Sequence, residues 1–303
     1  MENVLQTVDI TKKFAKKTAV SSVNMTIKKG DIYGFIGRNG AGKTTLIKML
    51  VGLSSPTSGS IELFGSKHLN KARHKIGTVI EAPAFVPNLS ARQNMLIQWK
   101  LLGSKDKSII DETLKLVGLS DVGRKKVKKF SLGMKQRLGI AMTLMGDPEL
   151  LILDEPTNGL DPEGIIEVRN MLKRINQEKG LTILISSHIL GELSKLATRY
   201  GIINDGVLID EFTGDELVTR CQSSLIVKVN DVNRASEVLK SALNTDKFTI
   251  VNENTLEVFD FIDTPGIVTS ALAKNNVVVD LISKKSVDLE EYFMNVIGGD
   301  KNA

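Results

Sequence analysis

Gly37-Arg-Asn-Gly-Ala-Gly-Lys-Thr44 combines three glycines with a lysine and a threonine at the spacing that holds a chain of phosphates. Gly40 and Gly42 let the backbone curl until successive N–H groups point inward at one anion. Lys43 then reaches the β and γ phosphates, and the Thr44 hydroxyl is placed to ligate Mg²⁺. Such a loop works only between a strand and a helix. IYGFI, residues 32–36, supplies the apolar strand, and KTTLIKMLVGL, residues 43–53, supplies the helix whose positive end faces the ligand. The expected binding residues are Gly37, Asn39, Gly40, Ala41, Gly42, Lys43, Thr44 and Thr45, and the expected ligand is a nucleoside triphosphate.

A second constellation follows the apolar run Leu150-Leu-Ile-Leu153, which ends in Asp154-Glu155. Strands of a parallel sheet present their C-terminal ends to the ligand, so Asp154 is placed to hold Mg²⁺ directly or through water. Glu155 is then placed to orient and deprotonate an attacking water. Two acids also occur at ordinary strand ends, and it is the phosphate loop that gives this pair its reading. A third stretch, KFSLGMKQR at 129–137, starts a helix at Ser131, weakens it at once with Gly133, and crowds its first turn with Lys135 and Arg137. A helix dipole disfavours cations there, so either this is an ordinary capped surface helix or its start meets an anion.

These residues must be positioned by a layered fold. Short β-branched runs at 32–36, 150–153 and 181–185 read as strands buried on both faces, hence a largely parallel sheet. Helical patterns at 43–52, 90–102, 108–118, 131–145, 162–178 and 189–197 cover it, and the main domain is α/β. Beyond Phe212 the pattern changes to strand SLIVKVN, helix VNRASEVLKSAL, strands KFTIVN and TLEVFDF, helix PGIVTSALAKN and strand VVVDLIS, followed by a last helix DLEEYFMNVIG. The β-α-β-β-α-β order is that of a ferredoxin-like α+β unit, with Asn252-Glu-Asn254 as the turn between its middle strands. Two domains are expected, 1–218 and 219–303, with a soft boundary near 213–223.

Composition sets limits on partners. At 303 residues with 42% hydrophobic and 25% charged residues, the chain is ordinary for a globular protein and has enough apolar material for a packed core. A balance of 40 basic to 35 acidic residues is too mild to select nucleic acid or a membrane surface. The basic run at 124–129 lacks interleaved aromatics for base stacking and reads as a solvated loop. The lone Cys221 excludes an internal disulfide. No stretch of about 18 apolar residues occurs, and the first residues lack a basic region followed by an apolar one. The expected location is cytoplasmic, with any membrane role reached through a partner.

Taken in order, Gly37 to Thr44, Ser131-Leu-Gly-Met-Lys-Gln136, LLILDEP at 150–156, Gly159-Leu-Asp161 and Ser187-His188 resemble the motifs of ATP-binding cassette (ABC) transporter subunits across roughly residues 1–210. The C-terminal quarter, with Asp288-Leu-Glu-Glu-Tyr-Phe293, most resembles the bacitracin and lantibiotic export or self-immunity branch. The resemblance implies a P-loop cassette with a helical subdomain, ATP and Mg²⁺ as ligands, and hydrolysis coupled to a separately encoded permease. The expected cargo is a peptide antibiotic or similar amphiphile. It also implies a head-to-tail homodimer in which Ser131 and Gly133 meet the γ-phosphate of the ATP held by the other copy. In that pattern His188 bonds the γ-phosphate and Phe14 stacks on adenine or is a plain strand-end aromatic. Asp161 links the two nucleotide sites, caps the helix at Pro162, or does both. A groove between the Glu81 loop and the helices at 90–119 would receive the permease, with Phe85 and Trp99 either contacts there or residues of the core. The assembly would sit at the inner face of the membrane.

Departures from the family pattern fall at two places. Glu81 stands where the family usually has glutamine, a glutamate that resembles the bacitracin and lantibiotic branch, and is expected to act at the metal and the attacking water. Phe130, Leu132 and Met134 replace the common Leu, first Gly and Gln of the signature, while Ser131 and Gly133 are retained. A nucleic-acid or ribosome ATPase is the competing reading. The interval from Lys43 to Ser131 carries no sustained heptads for a chromosome-type coiled coil, and the chain has one cassette, so no nucleic-acid partner is expected. His68 and His74 have no motif context.

Overall fold

Three antiparallel strands open the chain, β1 (Asn3–Phe14), β2 (Lys17–Val23) and β3 (Thr26–Lys28), and the parallel-sheet reading of the sequence did not foresee them. In this computed structural model, which describes residues 2–15, 17–220, 223–285, 292–294 and 296, they form a sheet of their own. Their alternation of buried and exposed positions is interrupted by register shifts along β1, which blurs the two-residue period. β4 (Ile32–Ile36) follows, buried at every position, and the loop after it leads into α1 (Lys43–Val51). α1 ends on Gly52 in a left-handed conformation, with the Arg73 guanidinium bonding the carbonyls of Met49 and Leu50. β5 (Ser58–Leu63) returns to pair with β1 and completes the first sheet.

The short α2 (Leu69–Ala72) and strand β6 (Ile76–Val79) lead to a helical subdomain of α3 (Ala91–Leu101), α4 (Ser108–Leu116) and α5 (Leu132–Leu144), which pack on one another. Ser90 starts α3 with a reciprocal capping box to Gln93. The chain returns through β7 (Leu150–Asp154), α6 (Pro162–Lys179), β8 (Thr182–Ser187), the single-turn α7 (Leu190–Leu193) and the hairpin of β9 (Arg199–Asn204) and β10 (Val207–Thr213). The second sheet runs β10-β9-β4-β8-β7-β6, parallel apart from the β10 edge. Leu46, Ile47, Met49 and Leu50 of α1 share one core with Leu150, Ile152 and Leu184 of this sheet. The C-terminal ends of β4, β7 and β8 therefore lie together, as a switch-point site requires.

The helix expected at 189–197 is cut to Leu190–Leu193. The Tyr200 hydroxyl bonds the Ala197 carbonyl at 3.0 Å, and the Thr198 N–H already bonds Ile32, which draws this stretch into the sheet. The run at 124–129 is exposed apart from the buried Val127, consistent with a solvated loop pinned by one apolar residue.

By internal contacts the chain divides into Met1–Gly214 and Asp215–Ala303. The second unit begins within α8 (Gly214–Arg220) and contains β11 (Ser224–Val229), α9 (Val232–Ala242), β12 (Phe248–Asn252), β13 (Thr255–Val258), α10 (Pro265–Lys274) and β14 (Val279–Lys285). Its sheet is antiparallel throughout, ordered β12-β13-β11-β14. Leu225, Val227, Leu256 and Val258 pack with Ala235 and Leu239 of α9 and Val268 and Leu272 of α10. Cys221 and most of the expected last helix at 288–298 lie outside the described residues.

Candidate nucleotide and catalytic site

Gly42, the residue before α1, has φ +108, and a side chain there would press on the Ala19 carbonyl at 2.5 Å. That conformation turns the loop so that α1 begins at its inner face. Phe14, Asn39, Gly40, Gly42, Lys43, Thr44, Thr45 and Glu155 line one cavity of about 330 Å³, joined by Lys17, Ala19 and Arg38, which the sequence reading had not singled out. Gly37 and Ala41 are buried beneath the loop. Phe14 is half exposed at the end of β1, with the Lys12 ammonium 5.0 Å from its ring centre. The ring thus stands at the rim with a face available for stacking.

Lys43 is buried and donates to the carbonyls of Gly37 at 2.6 Å and Arg38 at 3.2 Å. Its ammonium also stands 3.0 Å from Glu155 Oε1, an ion pair in which that buried oxygen takes no hydrogen bond. The other oxygen, Oε2, lies 2.7 Å from His188 Nδ1. Glu155 is held between a cation and an imidazole, and its φ of +50 marks the point where the chain turns off the end of β7.

Asp154 sits one residue earlier, 4% exposed, and both of its oxygens accept hydrogen bonds. Thr44 Oγ1 donates to Oδ2 at 2.7 Å, and Ser186 Oγ donates to Oδ1 at 2.6 Å. A hydroxyl and a carboxylate this close, beside a loop built for phosphates, form a hard oxygen set that suits Mg²⁺ completed by phosphate and water. Among the described residues no cluster of three or more His, Cys, Asp and Glu forms a metal cage of its own.

Glu81 is not brought into this cluster. It lies on the loop after β6 at φ +63, 70% exposed, with Oε1 bonded to Lys48 of α1 at 2.8 Å. That hydrogen bond first, and the lysine's charge second, hold the Glu81 carboxyl below the usual carboxylate range. Lys48 is one helical turn beyond Thr44, so the pair ties the Glu81 loop to the phosphate-loop helix. The same loop touches α5: a Cβ on Gly139 would fall well inside van der Waals contact with Pro83. Beside that contact a groove of about 270 Å³ is lined by Ile80, Ala82, Pro83, Gln98, Gly139 and Met142 among others. Phe85 and Trp99 do not line it; the Trp99 indole N–H instead donates to the Asp106 carbonyl.

Ser131 is the N-cap of α5, accepting from the Met134 N–H at 3.2 Å, so its own hydroxyl proton remains for an outside acceptor. Gly133 is helical and buried, and a Cβ there would meet Gly164 Cα at 3.7 Å and Leu160 Cδ2 at 3.9 Å, ordinary contacts at the start of α6. Asp161 caps α6 by accepting from the Gly164 N–H at 3.1 Å, with Pro162 in the first turn. Arg137 points elsewhere than a phosphate. It donates to the carbonyls of Val117 and Gly118 and pairs with Glu167 at 3.1 Å, closing the C-terminal end of α4 together with Arg174 on the Leu116 carbonyl. Ser186 was missed in the sequence, although a polar residue in LTILISS is the kind of interruption that flags a buried partner.

Comparison with known proteins agrees with this geometry. Residues 20–158 match the family model described as ABC transporter. The bacitracin transport ATP-binding protein BcrA of Bacillus licheniformis is 43% identical over 302 residues, covering 99% of each chain. The lantibiotic transport ATP-binding protein SrtF of Streptococcus pyogenes is 47% identical over 215 residues, 70% of this chain and 93% of that one. A solved dimeric, post-hydrolysis state of an ATP-binding cassette bound to ADP and phosphate superimposes with a TM-score of 0.60 at 26% identity, over 69% of this chain and 98% of that one. Likeness sustained from end to end joins what the phosphate loop and the acids of β7 already indicate: the chain belongs to the ATP-binding subunits of ABC transporters, ATPases that couple hydrolysis to transport.

Proposed function

We propose that two copies of this chain close head to tail over two ATP molecules, and that opening after hydrolysis drives a separately encoded permease exporting a peptide antibiotic or similar amphiphile. The observation that carries the dimer is the start of α5, where the Ser131 hydroxyl proton is left for an acceptor from outside and the glycine at 133 adds no side chain to keep such a group away. A γ-phosphate held by the other copy is such a group: it would meet the start of α5, the free Ser131 proton and the helix's positive end. Cargo class rests on the bacitracin and lantibiotic relatives, and the dimer is supported by the dimeric solved cassette.

In the proposed cycle Lys43 and the loop N–H groups bind the β and γ phosphates, drawing the ammonium away from Glu155. Phe14 stacks on adenine, and Asn39 and Thr45 line its phosphates. Thr44 and Asp154 would hold Mg²⁺, which when bound neutralises phosphate charge. Glu155, its Oε1 released, takes a proton from the attacking water while His188 keeps the carboxylate aimed and bonds the γ-phosphate. Glu81 leaves Lys48 to reach the metal's water shell, and Asp161, at the start of α6 on which Gly133 rests, carries the state of one site to the other.

Residues 1–218 are the nucleotide-binding domain and 219–303 an accessory domain of ferredoxin-like type, a reading supported by two central strands, β11 and β13, flanked by β14 and β12. The protein works at the inner face of the cell membrane through its permease. Among the described residues no helix is long and apolar enough to cross a bilayer. The test is Glu155→Gln with magnesium and ATP in the analytical ultracentrifuge. A dimer that forms on ATP addition with little hydrolysis is expected; a variant that stays monomeric would sink the proposal.

A further inference from the structure

Ser186 is 0% exposed near the end of β8, after the apolar Ile183, Leu184 and Ile185, and its hydroxyl meets the Asp154 carboxylate and the Glu155 backbone. The Glu155 backbone N–H can only donate, and it lies 2.9 Å from Ser186 Oγ. The hydroxyl must therefore accept there, which directs its one proton to Asp154 Oδ1, 2.6 Å away. The same Glu155 N–H also bonds the Ser186 carbonyl at 3.2 Å, so one residue of β8 holds Glu155 at the turn where its φ becomes +50. A buried hydroxyl in this strand would be costly without partners, and these two are the partners that it has.

We propose that Ser186 is the positioning residue for both acids: by occupying Asp154 Oδ1 it leaves Oδ2 to face Thr44 and the metal, and by holding the Glu155 N–H it fixes the spacing between metal ligand and base. Without it the Asp154 carboxylate is free to rotate about its last torsion, a broad two-fold well, and the oxygen beside Thr44 is no longer specified. The inference rests on the proposed assignment of Thr44 and Asp154 to Mg²⁺.

The test compares the affinity of a fluorescent ATP analogue with magnesium and with EDTA, in the full chain and in Ser186→Ala, Asp154→Asn and the double variant. Ser186→Ala is expected to lower the magnesium-dependent gain in affinity by about tenfold, the scale of one hydrogen bond to a charged group, and to leave metal-free affinity within about twofold. In the Asp154→Asn background the same substitution should add nothing, and Ser186→Thr, which keeps the hydroxyl, should restore most of the gain. Equal losses with and without magnesium, or an unchanged gain, would overturn the positioning role. A parent chain with no magnesium-dependent gain would instead overturn the metal assignment itself, and this inference with it. Thermal melting of each variant reports folding independently of the nucleotide.

Discussion

Replacing Gly133 by alanine should make the isolated chain more stable while weakening the proposed ATP-dependent dimer. The new methyl meets nothing closer than 3.7 Å within the chain, so no overpacking opposes it. A helical glycine replaced by alanine gains up to about 1 kcal/mol, and in the first turn about 0.5 kcal/mol is the fair figure. Spread over the 1–214 unit, that raises the melting temperature by about 1–2 °C. In the proposed dimer the methyl, seated beside Gly164 and Leu160, would crowd the approach of a phosphate to the start of α5. Losing one charge-assisted hydrogen bond costs about 1.5–3 kcal/mol, and a two-fold assembly loses it twice. ATP-dependent dimerisation should therefore weaken by at least about a hundredfold. The assay is sedimentation of Glu155→Gln with and without Gly133→Ala at saturating magnesium ATP, beside melting curves of the nucleotide-free chains. A dimerisation constant within about threefold of the parent, or a fall in melting temperature, would refute the reasoning.

Four further outcomes are expected. Glu155→Gln should bind ATP and lose nearly all steady-state hydrolysis, read by phosphate release; normal turnover would remove Glu155 as the base. Glu81→Gln should keep ATP binding and change turnover, because the loop loses its charged tie to Lys48, and equal steady-state rates would exclude a role at the reaction. Arg137→Met should destabilise the 1–214 unit by about 1–3 kcal/mol in chemical denaturation, since the Val117 and Gly118 carbonyls and Glu167 lose a half-buried cation. In the second unit, the Ser224 hydroxyl and then Lys285 hold the Glu257 carboxyl below its ordinary 4.5, so its contribution is present above that pH and is lost as pH falls through the lowered value. Hydrogen exchange in β11 and β13 should quicken over that window, and Glu257→Gln should flatten the response.

The phosphate loop, the acids after β7 and the cap at Ser131 were legible because each is a short stretch whose chemistry depends on neighbours in sequence. The central strands were legible for a related reason: burial on both faces leaves runs such as LLILD with no polar interruption. The first antiparallel sheet was not. Its pairings join Leu5 to Leu63 and Ile10 to Val23, and the bulges in β1 break the alternation that a window of residues can detect. Sequence left Arg137 facing either an anion or solvent, because it shows proximity to the signature and not direction; its guanidinium turns to the end of α4. Glu81 could be placed on its loop but not paired, since Lys48 meets it only after α1 and β6 come together.

Gly139 and Ser131 belong to one rod. Eight residues of α-helix span about 12 Å, so the end of α5 that carries Ser131 and the point where Gly139 rests on Pro83 are rigidly connected. Backbone against proline leaves no soft side chain between them to absorb motion. A displacement of α5 as a whole is therefore passed directly to Pro83, and with it to the wall of the adjoining groove.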